Sequence, residues 1–383
     1  MNSGRGRPSP MGAGRSARPG RRLRYVKRHG SGPNPGLVIF AALIAIIIAV
    51  SFFVIFSKKG GEGPAYFETE TERATAETER VKDPFFRIEV PSSGVSEGDL
   101  ILVNYDHPYV FPKKTGLVNV YANKTDDFKV AYTNYELEER VLDRIASLAA
   151  ELRRTTGEKD LTVNSAYRSL EDQRGVWDMY EREQGIEAAR LYVAEPGKSE
   201  HHTGLAVDLT VVRDDGSAVS IRDCGHYEEI DGLLVDYGFV LRYPGNKKDV
   251  THIENEPWHY RYVGEPHSRI MTRTGLCLEE YVGFLKEYTA DGTVLFLGPD
   301  GLLTSLVFDE AASASDGYIV FFVPAESGEY TRIAVPDDAA EYLVSGNNAD
   351  GFVVTVKLGD ADDGIASVAP SVSETVKKHV ITD

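Results

Sequence analysis

The chain has 383 residues, 42% of them hydrophobic, and a formal net charge of −17. The first 35 residues contain nine Arg or Lys and no Asp or Glu. When these nine residues, Lys58 and Lys59 are set aside, the rest of the chain contains 31 basic and 59 acidic residues. Because the main part of the chain is strongly acidic, nucleic acid is not an expected partner. The length allows two globular domains, or one domain with long appendages.

The N-terminal segments predict a membrane anchor. Residues 1–35 are rich in Gly, Pro, Ser and Arg, which predicts a disordered cytoplasmic tail against anionic lipid headgroups. Residues 36–56 are about twenty uncharged, nearly all apolar residues, the length of a transmembrane helix. The larger basic cluster precedes this helix and predicts a single-pass protein of the cell membrane with its body outside. A buried soluble helix and a cleaved signal peptide are the alternatives.

The polar residues 57–93 predict an extracellular stalk, and a globular domain is expected over 94–277. Apolar residues recur at helical spacing from Leu137 to Leu152, which predicts a helix over roughly 135–156. LTVNSAY at 161–167 is typical of a strand. Ser169 and Asp172 form a capping-box pattern, which predicts the start of a helix that carries Trp177.

The second half of this domain alternates similar elements. Residues 204–212 are apolar and β-branched, which predicts a central strand followed by a turn at 214–216. A short helix is expected over 231–239 and another strand over 256–263. The two cysteines, Cys224 and Cys277, allow either one disulfide or two buried free thiols.

The sequence pattern changes in the C-terminal part of the chain. Residues 279–288 predict a helix, and short β-like runs separated by Gly, Asp and Asn follow it. We therefore expect a helix plus a small β-rich module of five or six strands over 278–365. The tail 366–383 is expected to be weakly ordered.

Four residues in two short motifs indicate metal-assisted hydrolysis. SEHHTGLAVD supplies His201 and Asp208, and EPWHY supplies Glu256 and His259. Two imidazoles and one carboxylate leave the fourth position of a tetrahedral zinc ion open for water, and a nearby glutamate suits proton transfer. Pro257 disfavours a helix at Glu256, so the geometry is expected to come from neighbouring strands.

These motifs resemble the VanY-type D-alanyl-D-alanine carboxypeptidases, within the zinc peptidases that share a fold with lysostaphin-type enzymes and the hedgehog domain. The family pattern SxHxxGxAxD followed by ExWH is matched at every fixed position, and SAYRS at 165–169 with Gln173 resembles a further family element. The resemblance covers roughly 95–270 and implies an α+β fold with a central antiparallel sheet. The small all-β C-terminal module and the transmembrane helix would be additions to it.

The resemblance also implies residue roles. One zinc ion would be held by His201, Asp208 and His259, and Glu256 would be the general base and then the acid. His202 and His252 are expected not to bind the metal. Trp258 is expected to pack beneath the site.

Three further residues are implied in substrate binding. Arg168 would either stabilise the developing oxyanion or hold the terminal carboxylate of the substrate, because a guanidinium stays charged and binds bidentately. Gln173 and Ser199 would line the pocket for the terminal D-alanine.

The implied function is a membrane-anchored, extracellular zinc D,D-carboxypeptidase that removes the terminal D-alanine from peptidoglycan stem peptides. An L,D-carboxypeptidase acting on tetrapeptide stems and a peptidoglycan endopeptidase remain alternatives, because the same zinc chemistry serves all three. A non-catalytic cell-wall-binding protein is a second alternative. The sequence leaves the oligomeric state and the role of the β module open.

Overall fold

The computed structural model describes residues 85–113, 115–337 and 339–359. All of them belong to one compact unit that begins at Val81. The predicted cytoplasmic tail, the transmembrane helix at 36–56, most of the stalk and the tail 366–383 lie outside the described residues. Within the described part of the chain, no helix is both long and apolar enough to cross a membrane.

The strands of this unit are numbered in chain order. They are β1 Phe85–Pro91, β2 Leu117–Asn119, β3 Lys129–Val130, β4 Glu136–Glu138, β5 Leu161–Ser165, β6 Ala206–Val212, β7 Ala218–Val219, β8 Phe239–Leu241, β9 His259–Tyr262, β10 Thr293–Leu297, β11 Leu303–Val307, β12 Gly317–Pro324, β13 Tyr330–Pro336, β14 Glu341–Gly346 and β15 Gly351–Leu358.

The α-helices are numbered in the same way. They are α1 Val120–Asn123, α2 Glu139–Thr156, α3 Leu170–Gln184, α4 Ile186–Tyr192, α5 Tyr227–Asp236, α6 Lys248–Thr251, α7 His267–Thr274, α8 Leu278–Leu285 and α9 Phe308–Ala312. Four short 3-10 helices lie between them, at Ser92–Ser96, Glu200–Thr203, Ile221–Asp223 and Gly245–Lys247.

The sheet that carries the predicted site has the strand order β3-β5-β6-β9-β8, with β7 paired to β6. The fold is α+β, as expected, and the central sheet, which was predicted to be antiparallel, is mixed. β3 pairs with β5 in parallel, whereas the other neighbours are antiparallel. The reason is the intervening helix α2, because parallel neighbours need a crossover connection that returns the chain to the same end of the sheet.

Helix α2 buries one face against this sheet. Val141, Ile145, Leu148 and Leu152 are all at most 1% exposed, which confirms the helical spacing. The predicted start at 135 is too early, because Leu137 is buried as the middle residue of the strand β4. The helix ends where the chain turns into the left-handed conformation at a glycine.

The remaining predictions for this region hold apart from their boundaries. Strands β5 and β6 and the capping box that opens α3 are confirmed. Helix α5 starts four residues earlier than the predicted residue 231. The predicted strand over 256–263 shrinks to β9, because residues 256–259 form a turn closed by the His259 amide, which donates to the Glu256 carbonyl.

The C-terminal region is β-rich, with the sheet order β11-β10-β12-β15-β14. The sixth strand, β13, pairs instead with β1 in a separate antiparallel ribbon. Residues 85–91 therefore belong to the folded unit, and the predicted stalk extends too far along the chain. The predicted helix over 279–288 is α8, which ends at Leu285.

Apolar packing joins the site-bearing sheet to the β-rich region. One core cluster lies between α2 and the first sheet, and a second lies within the β-rich region. A third cluster combines Leu100, Val240 and Ile270 with Leu295 and Val353 of the C-terminal sheet. Cutting the chain near residue 285 would therefore expose buried apolar surface of the site-bearing half. Both cysteines are buried and unpaired.

Substitution of Gly204 would show how tightly the SEHHTGLAVD motif is packed. It has φ +69°, and a Cβ there would lie 2.6 Å from Leu117 Cδ2. Gly275 has nearly the same φ, +66°, with nothing within 4 Å of its would-be Cβ. We expect Gly275→Ala to cost about 1 kcal/mol for the left-handed conformation, and Gly204→Ala about 1–3 kcal/mol more for overpacking. Urea unfolding measures both; equal losses would contradict the contact.

Candidate metal site

Three neighbouring strands and one short helix position the site. Asp208 on β6 lies directly opposite His259 on β9, and Ser165 at the end of β5 lies opposite Asp208 on the other side. The 3-10 helix Glu200–Thr203 carries His201 and leads into β6 through Gly204. The two sequence motifs therefore meet because β6 and β9 are adjacent, not because the chain forms a shared helix face.

His201, Asp208 and His259 form a compact and buried cluster. One potential ligand atom from each lies within 4.8 Å of the others. Asp208 Oδ1 is 3.5 Å from His201 Nε2 and 3.1 Å from His259 Nδ1. The imidazole rings meet edge to face, with centroids 4.8 Å apart. The structure thus brings together all three predicted ligands.

Hydrogen bonding shows which nitrogen of His201 faces the cluster. His201 Nδ1 lies 2.7 Å from the Ala166 carbonyl oxygen, which only accepts, so Nδ1 carries the hydrogen. His201 Nε2 and Asp208 Oδ1 are both buried without a hydrogen-bond partner. An unpaired lone pair beside an unpaired carboxylate oxygen is costly to bury unless a cation binds both. The donor set therefore fits the zinc ion that the sequence predicts.

The charges of the cluster agree with a cation site. Burial disfavours ionisation of Asp208, but the two imidazoles outweigh it and hold the pKa of Asp208 well below its usual range. Burial lowers the pKa of His201 to about 4, with Arg168 adding to the decrease. Burial also disfavours the charged ring of His259, but Asp208 and Glu200 outweigh it and raise its pKa to about 9.

Glu256 lies beside the cluster without belonging to it. Its Oε2 is 3.7 Å from His259 Nδ1. Burial is the largest cause that raises the pKa of Glu256 to about 7, and Asp208 adds to it against His259 and Arg168. A carboxyl group with this pKa exchanges its proton near neutral pH, as a general base and acid requires.

The predicted substrate-binding residues surround the same centre. Arg168 is half-buried, and its Nη1 donates to Gln173 Oε1 over 2.8 Å. Its Nε is buried without a partner, and its charge interacts with Asp208 and Glu256. The Gln173 amide nitrogen donates to the Ala194 carbonyl, so this side chain orients Arg168 from a fixed position. Ser199 is buried and immediately precedes the 3-10 helix that carries the first histidine.

The residues expected not to bind metal lie apart from the cluster. His202 Nδ1 donates to the Arg168 carbonyl over 2.7 Å, and its Nε2 accepts from the Gly197 amide over 3.0 Å. His252 is outside the cluster and lines a neighbouring cavity. Trp258 is 43% exposed, so the expectation that it packs beneath the site is wrong. The turn at 256–259 leaves its side chain in partial contact with solvent.

Several residues around His259 were not predicted from the sequence. Glu200 Oε2 lies 3.7 Å from His259 Nε2, and the Tyr243 ring packs on the imidazole with centroids 4.9 Å apart. Arg242 and Arg261 are fully buried against Glu200. One signal was present: Arg261 follows His259 by two positions in a strand, so both side chains share a face.

Fold and site together define a metal-dependent hydrolase, and comparison with known proteins identifies its family. A family model described as D-alanyl-D-alanine carboxypeptidase, VanY, matches residues 134–265. The chain is 40% identical over 138 residues to the bifunctional D-Ala-D-Ala dipeptidase and D-Ala-D-Ala carboxypeptidase VanXYC of Enterococcus gallinarum, covering 35% of this chain and 73% of that protein. It is 30% identical over 270 residues to a D-alanyl-D-alanine carboxypeptidase of Enterococcus faecium, covering 69% and 77%.

The fold is also similar to a solved structure. The crystal structure of the vancomycin-resistance D,D-dipeptidase VanXYg with a D-Ala-D-Ala phosphinate analogue aligns with a TM-score of 0.59 at 33% identity. The alignment covers 71% of this chain and 99% of that one. The chain belongs to the VanY family of zinc-dependent D-alanyl-D-alanine carboxypeptidases, as its motifs predicted.

The adjacent histidines His201 and His202 provide a matched pair for testing the metal site. We expect His201→Ala to lose zinc after dialysis, because a ligand is removed. His202→Ala should keep its zinc and lose kcat/KM instead, because the Arg168 carbonyl and the Gly197 amide lose their shared partner. Elemental analysis of the dialysed proteins measures zinc per chain. If His202→Ala lost its zinc and His201→Ala kept it, His202 rather than His201 would be the metal ligand.

Proposed function

We propose that this VanY-family enzyme is a membrane-anchored, extracellular zinc D,D-carboxypeptidase that removes the terminal D-alanine from peptidoglycan stem peptides. The observation that carries the proposal is the buried cluster of His201, Asp208 and His259, with Glu256 at 3.7 Å from His259. This arrangement supplies three ligands for one zinc ion and a separate carboxylate for proton transfer.

His201 Nε2, an Asp208 carboxylate oxygen and His259 Nδ1 would hold the zinc ion, since these atoms converge in the cluster. When bound there, zinc lowers the pKa of a coordinated water and polarises the carbonyl that is attacked. Two protein contacts hold the ligands ready for the metal. The Ala166 carbonyl fixes the His201 tautomer, and the strand pairing of β6 with β9 fixes the distance between Asp208 and His259.

Glu256 would take the proton from the attacking water and then deliver it to the amine of the departing D-alanine. Its raised pKa suits both of these steps, because a carboxyl group that titrates near 7 accepts and releases a proton at neutral pH. The turn at 256–259 holds it on the same side of β9 as the imidazole.

Arg168 would act on the substrate through donors that the protein leaves free. Gln173 occupies Nη1, whereas Nε has no protein partner. A half-buried guanidinium in this position would either stabilise the developing oxyanion or hold the terminal carboxylate of the substrate. Gln173 and Ser199 would shape the pocket around the last residue, Gln173 by linking Arg168 to the Ala194 carbonyl.

A cavity next to the site favours long substrates. It has a volume of about 770 Å³ and is bordered by Tyr243, which packs on His259, and by Ala194, which is bonded to Gln173. A stem peptide extends beyond the bond that is cut and needs such space, whereas a free D-Ala-D-Ala dipeptide does not. The cavity therefore offers room for a substrate longer than a dipeptide.

The proposed location rests on the N-terminal sequence. Residues 36–56 have the length and composition of a membrane span, and the preceding basic residues would retain the N-terminus in the cytoplasm. This orientation would place the zinc site on the side of the membrane where peptidoglycan lies.

The substrate is tested with the full chain in detergent, incubated with four probes: a pentapeptide stem ending in D-Ala-D-Ala, a tetrapeptide stem, cross-linked stems and free D-Ala-D-Ala. We expect the pentapeptide stem to lose one D-alanine, followed by mass spectrometry, and a chelator to abolish the loss until zinc is added. Cleavage of the tetrapeptide alone would establish an L,D-carboxypeptidase. Cleavage of cross-linked stems alone would establish an endopeptidase.

Glu256→Gln provides the control for catalysis. It should retain zinc, because Glu256 lies outside the ligand set, and lose about 10²- to 10⁴-fold in kcat, the range of general acid–base catalysis. Wild-type turnover in this variant would contradict the assigned role. A zinc-loaded wild-type chain that binds all the substrates and cleaves none would establish the non-catalytic wall-binding protein instead.

A further inference from the structure

A chain of buried ion pairs links the metal site to helix α8. Glu200 Oε1 accepts from Arg242 Nε over 2.7 Å and from Arg261 Nη1 over 2.8 Å. Glu279, in the first turn of α8, accepts from both terminal nitrogens of Arg242, over 2.9 and 2.7 Å. The side chains of Glu200, Arg242 and Arg261 are 0% exposed, and that of Glu279 is 12% exposed. We call these four residues the ion-pair chain.

The two oxygens of Glu200 have different surroundings. Both arginine donors bind Oε1, which leaves Oε2 buried without a hydrogen-bond partner. Oε2 is 3.7 Å from His259 Nε2, which is also buried without a partner. A histidine that binds metal through Nδ1 carries its hydrogen on Nε2, and Glu200 Oε2 is the carboxylate oxygen that lies 3.7 Å from this nitrogen. A carboxylate in this place holds the imidazole in its orientation.

The two arginines depend on Glu279 to different degrees. Arg261 is held by the backbone carbonyls of Asp99, Ile101 and Tyr262 in addition to Glu200. The guanidinium of Arg242 instead donates to carboxylates, to Glu200 from Nε and to Glu279 from both terminal nitrogens. A bidentate pair fixes the plane of a guanidinium as well as its position. Glu279 therefore sets the plane of Arg242, and Arg242 helps to set the rotation of the Glu200 carboxylate.

Stability alone does not account for these charges. Burying ion pairs costs desolvation that apolar residues of similar volume would avoid, so a buried ion pair is weak evidence of a gain in stability. The orientation of Glu200 offers a reason, because only a carboxylate with Oε1 occupied presents Oε2 to His259. Asn104 Nδ2 also donates to Glu279 Oε1 over 3.1 Å, which braces the far end of the ion-pair chain.

We propose that Glu279 is a positioning residue for the metal site: through Arg242 and Glu200 it holds the ring of His259, so that zinc affinity depends on helix α8. Helix α8 begins beyond residue 265, where the match to the family model ends. The inference rests on the proposed role of His259 as a zinc ligand, and it gives the C-terminal part of the chain a direct connection to the chemistry.

Zinc affinity of the full chain tests this proposal, measured at fixed pH by competition with a chromophoric chelator. We expect Glu279→Gln to weaken zinc binding by about tenfold, the lower end of the range for partners of metal ligands. Glu280→Gln is the matched control, because Glu280 is the next residue of α8 and pairs with Lys247 outside the ion-pair chain. Equal affinities of the two variants would overturn the proposal.

A double-mutant cycle tests the route. Glu200→Gln should weaken zinc binding by about 10- to 100-fold. If Glu279 acts through Glu200, adding Glu279→Gln to that variant should change the affinity little further. Additive losses would show that Glu279 acts by another route and would contradict the proposed one.

Three further measurements separate the possible failures. The visible spectrum of the cobalt-substituted protein reports the ligand geometry, and it should change in Glu279→Gln but not in Glu280→Gln. Glu279→Asp keeps the charge and lacks the reach for both nitrogens of Arg242, so it should weaken zinc binding even if Glu279→Gln does not fold. If His259→Ala retains zinc, His259 is not the proposed ligand. If His259→Ala loses zinc but Glu279→Gln binds zinc as tightly as the wild type, only the positioning role of Glu279 is refuted.

Discussion

The site depends on one buried anion, the carboxylate of Asp208 between two imidazoles. Its Oδ1 lies within 3.5 Å of nitrogens of His201 and His259 and has no hydrogen-bond partner. A charge in such a place costs several kcal/mol unless another charge compensates it. Three features hold this anion where a cation can bind it. They are the central position of β6, the close packing at Gly204 and the pairing of β6 with β9.

Three carboxylates lie around His259, and their surroundings give them different roles. Asp208 and Glu200 are both ionised, because neighbouring cationic or imidazole groups outweigh burial and hold each pKa well below its usual range. For Glu256 burial is the largest cause, and its pKa rises to about 7. Titratable groups whose pKa values diverge in this way divide the roles of anion and proton carrier between them. In the proposed mechanism, the ring of His259 thus lies beside a fellow ligand, an orienting carboxylate and a proton-transfer group.

The sequence was sufficient to predict the metal cluster and the helix α3, because short motifs carry these features. His201, Asp208 and His259 were found by residue type and order, and the structure brings them together. Their partners were harder to predict, because each comes from a distant segment that must be placed first. The pair of Glu200 with Arg242 and the pairing of β1 with β13 depend on which strands become neighbours, and no local pattern specifies that.

The C-terminal β-rich region is part of the same folded unit as the metal site. The shared apolar cluster and the contact between Arg242 and Glu279 both cross residue 278, the expected start of the C-terminal module. Its role is therefore better studied with single substitutions than by deletion, because deletion would remove core residues along with any binding surface.

We expect one zinc ion to bind His201 Nε2, Asp208 and His259 Nδ1. The most direct measurement is an anomalous difference map, collected at the zinc absorption edge from crystals of the zinc-loaded protein. We expect a single peak at about 2.0–2.2 Å from these three ligands, with Glu256 not coordinated. A peak bound through His259 Nε2, or one that includes His202 or excludes Asp208, would contradict it.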